Sequence, residues 1–143
     1  MEQGILLGML GVCAAEDIKK RSIPLPYLVI FGLVGIGLHW YGHKLFLFDM
    51  GTGIAVGVGL LGLSALTRGS IGMGDGFIFC AAGIFLGGSG NVELLMFSLM
   101  YAGIWSLGMI VFKKRKSKVG KQRIPFAPFV FIGYVTMLVG KVL

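Results

Sequence analysis

The sequence predicts an all-α membrane protein, a bundle of about six transmembrane helices, and three observations lead to that prediction. Of the 143 residues, 56% are hydrophobic and only 13% are charged. The mean hydropathy of +0.90 lies far above that of an ordinary soluble domain. The charged residues also leave five uncharged runs of 17 to 22 residues, close to the roughly 20 that cross a bilayer as a helix. We therefore expect residues 1–143 to form a single integral membrane domain.

The uncharged runs place the individual helices. We expect membrane spans at about residues 3–15, 24–42, 49–67, 76–92, 93–112 and 124–142. The first run is short, but no Lys or Arg precedes it, whereas a secretory signal peptide carries its positive charge in front of the apolar stretch. We interpret it as a first span that is extended by its polar ends.

Proline and glycine mark how the spans begin and pack. The second and sixth spans each open with an Ile-Pro pair, and proline in a first helical turn loses no hydrogen bond. Small residues recur every three or four positions in the first and third spans, a spacing that predicts close contact between helix backbones. These residues are Gly4, Gly8, Gly11, Gly53 and Gly57.

The basic residues predict the orientation of the bundle. If six spans alternate, 11 of the 13 Lys and Arg fall on one side, and only Lys44 and Lys141 fall on the other. Lys and Arg are retained on the cytoplasmic side during insertion. We therefore expect a multi-pass protein of the cytoplasmic (inner) membrane, with both termini outside. The basic cluster in residues 113–123 lacks interleaved aromatic residues, which favours contact with anionic membrane lipids over nucleic-acid binding.

Two of the six acidic residues stand out. Asp75 lies among glycines directly before an uncharged run, where the ordinary explanation is a helix N-cap. Asp17 ends the first span and precedes three basic residues, where the ordinary explanation is a surface ion pair. Two spans separate these acids, so both emerge on the cytoplasmic face. Two adjacent carboxyl groups share a proton near neutral pH, and such a dyad activates water in aspartic proteases.

Other chemistry has little support in the sequence. His39 and His43 flank two aromatic residues at the outer end of the second span, which is typical of an interfacial belt. Cys13 and Cys80 lie in apolar runs and form no Cys-x-x-Cys pair, so we expect both to pack in the core. The serines near the cytoplasmic face have no histidine on their side of the membrane to act as a base. We expect no metal and no cofactor.

Three segments on the predicted cytoplasmic face together resemble the motifs of type IV prepilin peptidases, which are membrane aspartic proteases with a Gly-x-Gly-Asp sequence. The segments are Asp17-Ile18-Lys19-Lys20-Arg21-Ser22-Ile23-Pro24, Gly72-Met73-Gly74-Asp75 and Ile124-Pro125-Phe126-Ala127-Pro128-Phe129. Their order and common face agree with the family, and the resemblance covers nearly the whole chain from Asp17 onward.

The resemblance implies an endopeptidase that removes the short basic leader of type IV prepilins or pseudopilins at the cytoplasmic face of the membrane. It implies that Asp17 and Asp75 are catalytic and share the activation of water. It also implies that the other motif residues support the site. These are Gly72, Gly74, Ile23, Pro24, Ile124, Pro125, Phe126 and Pro128.

The chain also departs from the family pattern. Phe77 stands where the family commonly has Lys, Leu25 where it often has Asn, and Ala127 where Gly is frequent. These differences bear on recognition of the leader, whereas both acids are kept. The cysteine-rich segment of larger family members, associated with zinc and with N-methylation of the product, has no counterpart here. We therefore expect cleavage without methylation.

Several alternatives stay open at this stage. Presenilin-type proteases share Gly-x-Gly-Asp, but their partner aspartate lies in the preceding span, and residues 50–67 contain no acid here. The archaeal preflagellin peptidases are related, and the sequence separates them poorly from prepilin peptidases. A small transporter or channel would use Asp75 to bind an ion, but such proteins usually place polar groups near the midplane. A non-catalytic assembly protein would tolerate the loss of either acid.

Overall fold

The computed structural model describes residues 2–20, 25–42, 47–68, 73–112 and 126–143, and these ranges contain helices and no strand. The all-α prediction is therefore confirmed. The helices are α1 (Glu2–Lys20), α2 (Leu25–Gly42), α3 (Leu47–Leu66), α4 (Met73–Phe112) and α5 (Ala127–Val142).

Two of the helices are long and apolar enough to cross a membrane, at Phe48–Leu66 and Met73–Phe112. The apolar helices at Leu25–Leu38 and Ala127–Val142 are shorter. The described residues form five helical elements where six were expected, because helical backbone continues through the region predicted to hold the fourth and fifth spans. The interruption in α4 lies at Gly87 (φ 73, ψ −177), before the expected boundary at residues 92–93. Glycine adopts this left-handed φ without strain. No charged residue stands at the interruption, so a boundary drawn at charged residues misses it.

The helix α4 reverses direction at Gly87. The side-chain Nδ2 of Asn91 donates a hydrogen bond to the carbonyl oxygen of Phe79 over 2.9 Å. In a straight helix these residues would lie about 18 Å apart along the axis, since each residue adds about 1.5 Å. We therefore divide α4 into a first arm (residues 73–86) and a second arm (residues 88–112) that folds back beside it.

The first arm of α4 packs against α3 with their backbones in close contact. A Cβ atom placed on Gly53 or Gly83 would overlap the backbone of the other glycine. A Cβ on Gly57 would likewise meet the backbone of α4, and one on Gly76 would lie 2.6 Å from Cγ of Leu61. The close approach predicted for Gly53 and Gly57 is thus confirmed, and the two segments run antiparallel.

The expectation for the glycines of α1 is wrong in part. A Cβ on Gly4 or Gly8 would meet no described atom within 4 Å, so these glycines face open space in the described part of the chain. Gly11 alone of the three lies beside another helix, where a Cβ would stand 3.4 Å from the ring of Phe131. Glycine spacing identifies a surface that permits close packing, but does not identify which surfaces are used.

The helix α5 lies between α1 and the second arm of α4. The hydroxyl groups of Tyr101 and Thr136 are hydrogen-bonded over 2.9 Å on one side. On the other side the hydroxyl of Tyr134 donates to the carbonyl oxygen of Gln3 over 3.3 Å. The core is built of apolar side chains from α1, α2, α4 and α5. It includes Leu6, Met9, Leu10, Cys13, Leu28, Ile78, Phe79, Leu94, Val130, Tyr134 and Met137.

These pairings bring four helix ends together. α1 and α5 run antiparallel, since Gln3 contacts Tyr134 whereas Asp17 contacts Ala127. The carboxyl end of α3 lies beside the amino end of α4, as the contact of Leu61 with Gly76 shows. The carboxyl ends of α1 and α3 therefore share one end of the bundle with the amino ends of α4 and α5. We call this the Asp17 end.

Candidate active site

Asp17 lies in the last turn of α1 and is directed into the bundle. Its side chain is only 8% exposed, and its Oδ2 accepts a hydrogen bond from the backbone N–H of Ala127 over 3.2 Å. The surface ion pair considered for this residue is therefore not what the structure has. Lys20 instead lies 3.6 Å from the carboxylate of Glu16 on the outside of α1.

The amino end of α5 explains why the carboxylate of Asp17 is held beside Ala127. The first N–H groups of a helix have no partner within the helix and normally need a cap. Phe126 occupies the cap position of α5 and provides no side-chain hydrogen bond. The carboxylate of Asp17 supplies the missing acceptor from a different helix, and its negative charge also favours the positive end of the helix dipole.

Asp75 lies in the first turn of α4 at the same end of the bundle. In the described structure α4 begins at Met73, so Asp75 lies inside the first turn of the helix. It is not at the N-cap position, which was the ordinary explanation for an acid there. The next residue, Gly76, is buried against Leu61 of α3. A side chain at position 76 would push the two helices apart. The glycine therefore allows Asp75 to lie half-buried beside the end of α3.

Asp17 influences the ionisation of Asp75. Asp17 and Asp75 both lie outside the uncharged runs at residues 3–15 and 76–92, which are the first and fourth expected membrane spans. Burial, and then the negative charge of Asp17, raise the pKa of Asp75 to about 7. Burial also raises the pKa of Asp17, while hydrogen bonds from the amides of Ala127 and Phe126 act in the opposite direction. Two coupled carboxyl groups of this kind hold one proton between them near neutral pH.

A buried apolar side chain lies one helical turn from each acid. The rings of Phe79 and Phe126 pack with their centroids 6.4 Å apart, joining α4 one turn after Asp75 to the amino end of α5. Cys13 lies one turn before Asp17 and is 1% exposed. It is a buried packing residue, as the sequence predicts. Burial disfavours the charged form of an acid, and it is the first cause of the raised pKa of both Asp17 and Asp75.

Asn91 is a buried structural residue that sequence analysis did not identify. It is fully buried, and its Nδ2 donates to the carbonyl oxygens of Gly53 and Phe79 over 2.8 and 2.9 Å. It thereby ties α3 and both arms of α4 together. An amide side chain in an apolar run was the available indication, because such a group needs hydrogen-bond partners when it is buried.

The remaining predicted site residues divide into two groups. Gly74, Phe126 and Pro128 lie in the first turns of α4 and α5 or directly before them, at the Asp17 end. The others lie outside the described residues, and these are Ile23, Pro24, Gly72, Ile124 and Pro125. Phe77, which replaces the Lys common in prepilin peptidases, is exposed. Within the described ranges, no three His, Cys, Asp or Glu residues are grouped as metal ligands.

Comparison with known proteins places the chain in a family. The model of the type IV leader peptidase family matches residues 4–111. The match includes Asp17 and Asp75 and ends before α5, which the structure adds to the site through Ala127. No curated protein and no solved structure matches the chain. Since the family match covers most of the 143 residues, the chain belongs to the type IV leader peptidase family.

Proposed function

We propose that this protein is a membrane-embedded aspartic endopeptidase that removes the basic leader of type IV prepilins or pseudopilins. Asp17 and Asp75 are its catalytic residues. The observation that carries this proposal is the meeting of two acids from separate helices at one end of the bundle, where the charge of one raises the pKa of the other. Family membership supports the same substrate class.

The dyad supports hydrolysis of a peptide bond without a covalent intermediate. One carboxylate accepts a proton from water as the water oxygen attacks the scissile carbonyl carbon. The protonated partner donates a hydrogen bond and then its proton to the carbonyl oxygen. Both functions require one ionised and one protonated acid at the same pH. The coupling of Asp17 with Asp75 provides such a state near neutral pH.

The arrangement of the helices supports six membrane crossings with the site at the cytoplasmic face. The two arms of α4 count as two crossings, because the second arm folds back beside the first. The carboxyl ends of α1, α3 and the second arm then all lie at the Asp17 end, and a segment of the sequence follows each of them. These segments carry most of the basic residues, which are retained in the cytoplasm.

This location suits the substrate class. A prepilin has a basic leader followed by an apolar helix, and that helix lies in the bilayer with the leader in the cytoplasm. The bond between leader and helix then reaches the depth at which α1 ends and α4 begins. Anionic lipid headgroups beside the basic segments would offset their repulsion of a basic leader.

The test is cleavage of a prepilin by the purified protein in lipid vesicles, followed by the intact mass of the substrate. We expect the wild-type protein to remove the leader, and Asp17→Asn and Asp75→Asn each to leave it in place. Glu16→Gln is the matched control, because Glu16 neighbours Asp17 in sequence but forms an ion pair with exposed Lys20 in the described structure. This variant should cleave normally.

Three results would count against the proposal. Cleavage by either aspartate variant would remove that residue from the mechanism. No cleavage of authentic prepilins by folded wild-type protein would refute the activity. Cleavage of an archaeal preflagellin in preference to prepilins would assign the protein to the related peptidase class.

A further inference from the structure

We propose that the amino end of α5 fixes the division of roles within the dyad. The backbone N–H of Ala127 holds Asp17 as the carboxylate that takes the proton from water, so that the shared proton resides on Asp75. This inference rests on the proposed function. Beyond that function, it identifies which acid is the base. It also gives the segment from Phe126 to Pro128 a positioning role in the reaction.

The two acids differ in their hydrogen bonds. Asp17 receives the N–H of Ala127 over 3.2 Å. Within the described residues, no donor reaches the carboxyl group of Asp75. An N–H donor stabilises the ionised form of a carboxyl group more than the neutral form, because charge-assisted hydrogen bonds are the stronger ones. The ionised state is therefore favoured at Asp17.

The local sequence of α5 explains why Ala127 is the donor. Pro128 has no N–H group. The N–H of Phe129 donates to the carbonyl oxygen of Phe126 over 3.0 Å. The N–H of Ala127 has no acceptor inside the helix, as is usual for the first positions. It is thus available to an acid from α1, and the partial positive charge at the helix end adds to the preference for an ionised Asp17.

No other charged group in the described structure reverses the preference for an ionised Asp17 over an ionised Asp75. On α1, Glu16 is paired with Lys20 on the exposed side, and Cys13 is an uncharged neighbour of Asp17. α2 carries no Asp, Glu, Lys or Arg, and its one histidine, at position 39, belongs to the last turns of the helix, away from the residues that follow α1. The single basic residue of α5, Lys141, lies at the far end of that helix. Arg68, at the end of α3, is exposed. Asp75 is therefore the titratable group of α4 that interacts electrostatically with Asp17.

The resulting step is balanced in atoms and charge. Asp17 takes a proton from water while the water oxygen bonds to the scissile carbonyl carbon, and Asp75 gives its proton to the carbonyl oxygen. As the tetrahedral diol collapses, the carbon–nitrogen bond breaks and the nitrogen takes the proton from Asp17. One hydroxyl proton returns to Asp75, which leaves a carboxylic acid, an amine and the starting state of the dyad.

The first experiment removes the N–H of Ala127 and keeps its side chain. Nonsense suppression with lactic acid at position 127 replaces the amide by an ester in the full-length protein, which is then assayed for prepilin cleavage in vesicles across pH. We expect the acidic limb of the kcat profile to move up by about one pH unit, because Asp17 loses a donor to its ionised form. An ester at exposed Ile132 in the middle of α5 is the control, and it should leave that limb in place.

The second experiment locates the proton without using activity. Infrared difference spectra of the protein in vesicles, taken between pH 5 and 9, report the carbonyl stretch of a protonated carboxyl group. We expect a band that titrates near pH 7 in the wild type, is missing in Asp75→Asn and persists in Asp17→Asn. In the Asp17→Asn variant the band should titrate at lower pH, because the neighbouring negative charge is gone.

The outcomes separate this inference from the proposed function. A band lost in Asp17→Asn and kept in Asp75→Asn would reverse the roles and overturn the inference, even with a fully active peptidase. An unchanged acidic limb in the ester variant at position 127 would show that α5 does not set the roles of the two acids, and it would also overturn the inference. Absence of all prepilin cleavage would refute the function, whereas the infrared bands would still show where the proton lies.

Discussion

Replacing Asp75 by Asn should abolish activity and at the same time stabilise the fold. Burial and the charge of Asp17 raise the pKa of Asp75 from 3.8 to about 7. In the unfolded chain the carboxyl group loses its proton near pH 3.8, whereas the folded protein keeps it until about pH 7. Between these values rising pH favours the unfolded state, so the native protein becomes less stable as pH rises.

The size of the effect follows from the shift. A rise of about three pKa units at about 1.4 kcal/mol per unit gives about 4 kcal/mol, and partial exposure of Asp75 makes this an upper bound. Asn has the same shape and no charge. Relative to the wild type, Asp75→Asn should therefore gain little at pH 4 and up to about 4 kcal/mol at pH 8.

The assay is reversible unfolding of both proteins in the same detergent or lipid mixture at a series of pH values. The measured quantity is the difference in unfolding free energy between Asp75→Asn and the wild type. Asp49→Asn is the control, since Asp49 is exposed at the opposite end of the bundle beside Gly87. A difference that is flat from pH 4 to pH 8, or that favours the wild type at pH 8, would refute the assignment of Asp75 as a buried, coupled acid.

Three further predictions concern packing. Gly83→Ala should destabilise the protein by about 1–3 kcal/mol in thermal unfolding, because the added Cβ would overlap the backbone of α3. Gly8→Ala is the control and should be neutral, because Gly8 faces open space among the described residues. Equal effects of the two substitutions would contradict the α3–α4 contact. Asn91→Leu should lower the free energy of unfolding by about 1–2 kcal/mol, because two hydrogen bonds are lost. It should also lower prepilin cleavage. Unchanged stability would contradict the role of Asn91 in joining α3 to the two arms of α4. Cys13→Ala with Cys80→Ala should cost about 1–2 kcal/mol and retain cleavage; a folded but inactive double variant would contradict a packing role.

The common location of the two acids could be predicted from the sequence, because it depends only on counting spans. An even number of apolar runs separates Asp17 from Asp75, so both emerge on one face whatever the detailed packing. The glycines of α3 were also predictable as contact residues. At Gly53 and Gly57 the neighbouring helix indeed approaches closely enough to exclude a side chain.

The rest depends on how helices meet in space, which residue spacing alone does not determine. The reversal at Gly87 has no charged residue to mark it, and the nearest charge, Glu93, led to a later boundary. Gly4 and Gly8 have the same spacing as the α3 glycines, yet they contact no described neighbour within 4 Å. The hydrogen bond from Ala127 to Asp17 joins residues 110 positions apart and involves a backbone group, so no side-chain pattern indicates it.

The measurement that tests the central claim most directly is cross-linking between the two acidic positions. In a Cys13→Ala, Cys80→Ala background, Asp17→Cys with Asp75→Cys should react with a short bifunctional thiol reagent to give one bridged adduct by intact mass. The matched pair Asp49→Cys with Asp75→Cys should give two separate adducts, since α3 holds these positions at opposite ends of the bundle. Separate adducts at positions 17 and 75 in the folded protein would contradict a single site built by α1 and α4.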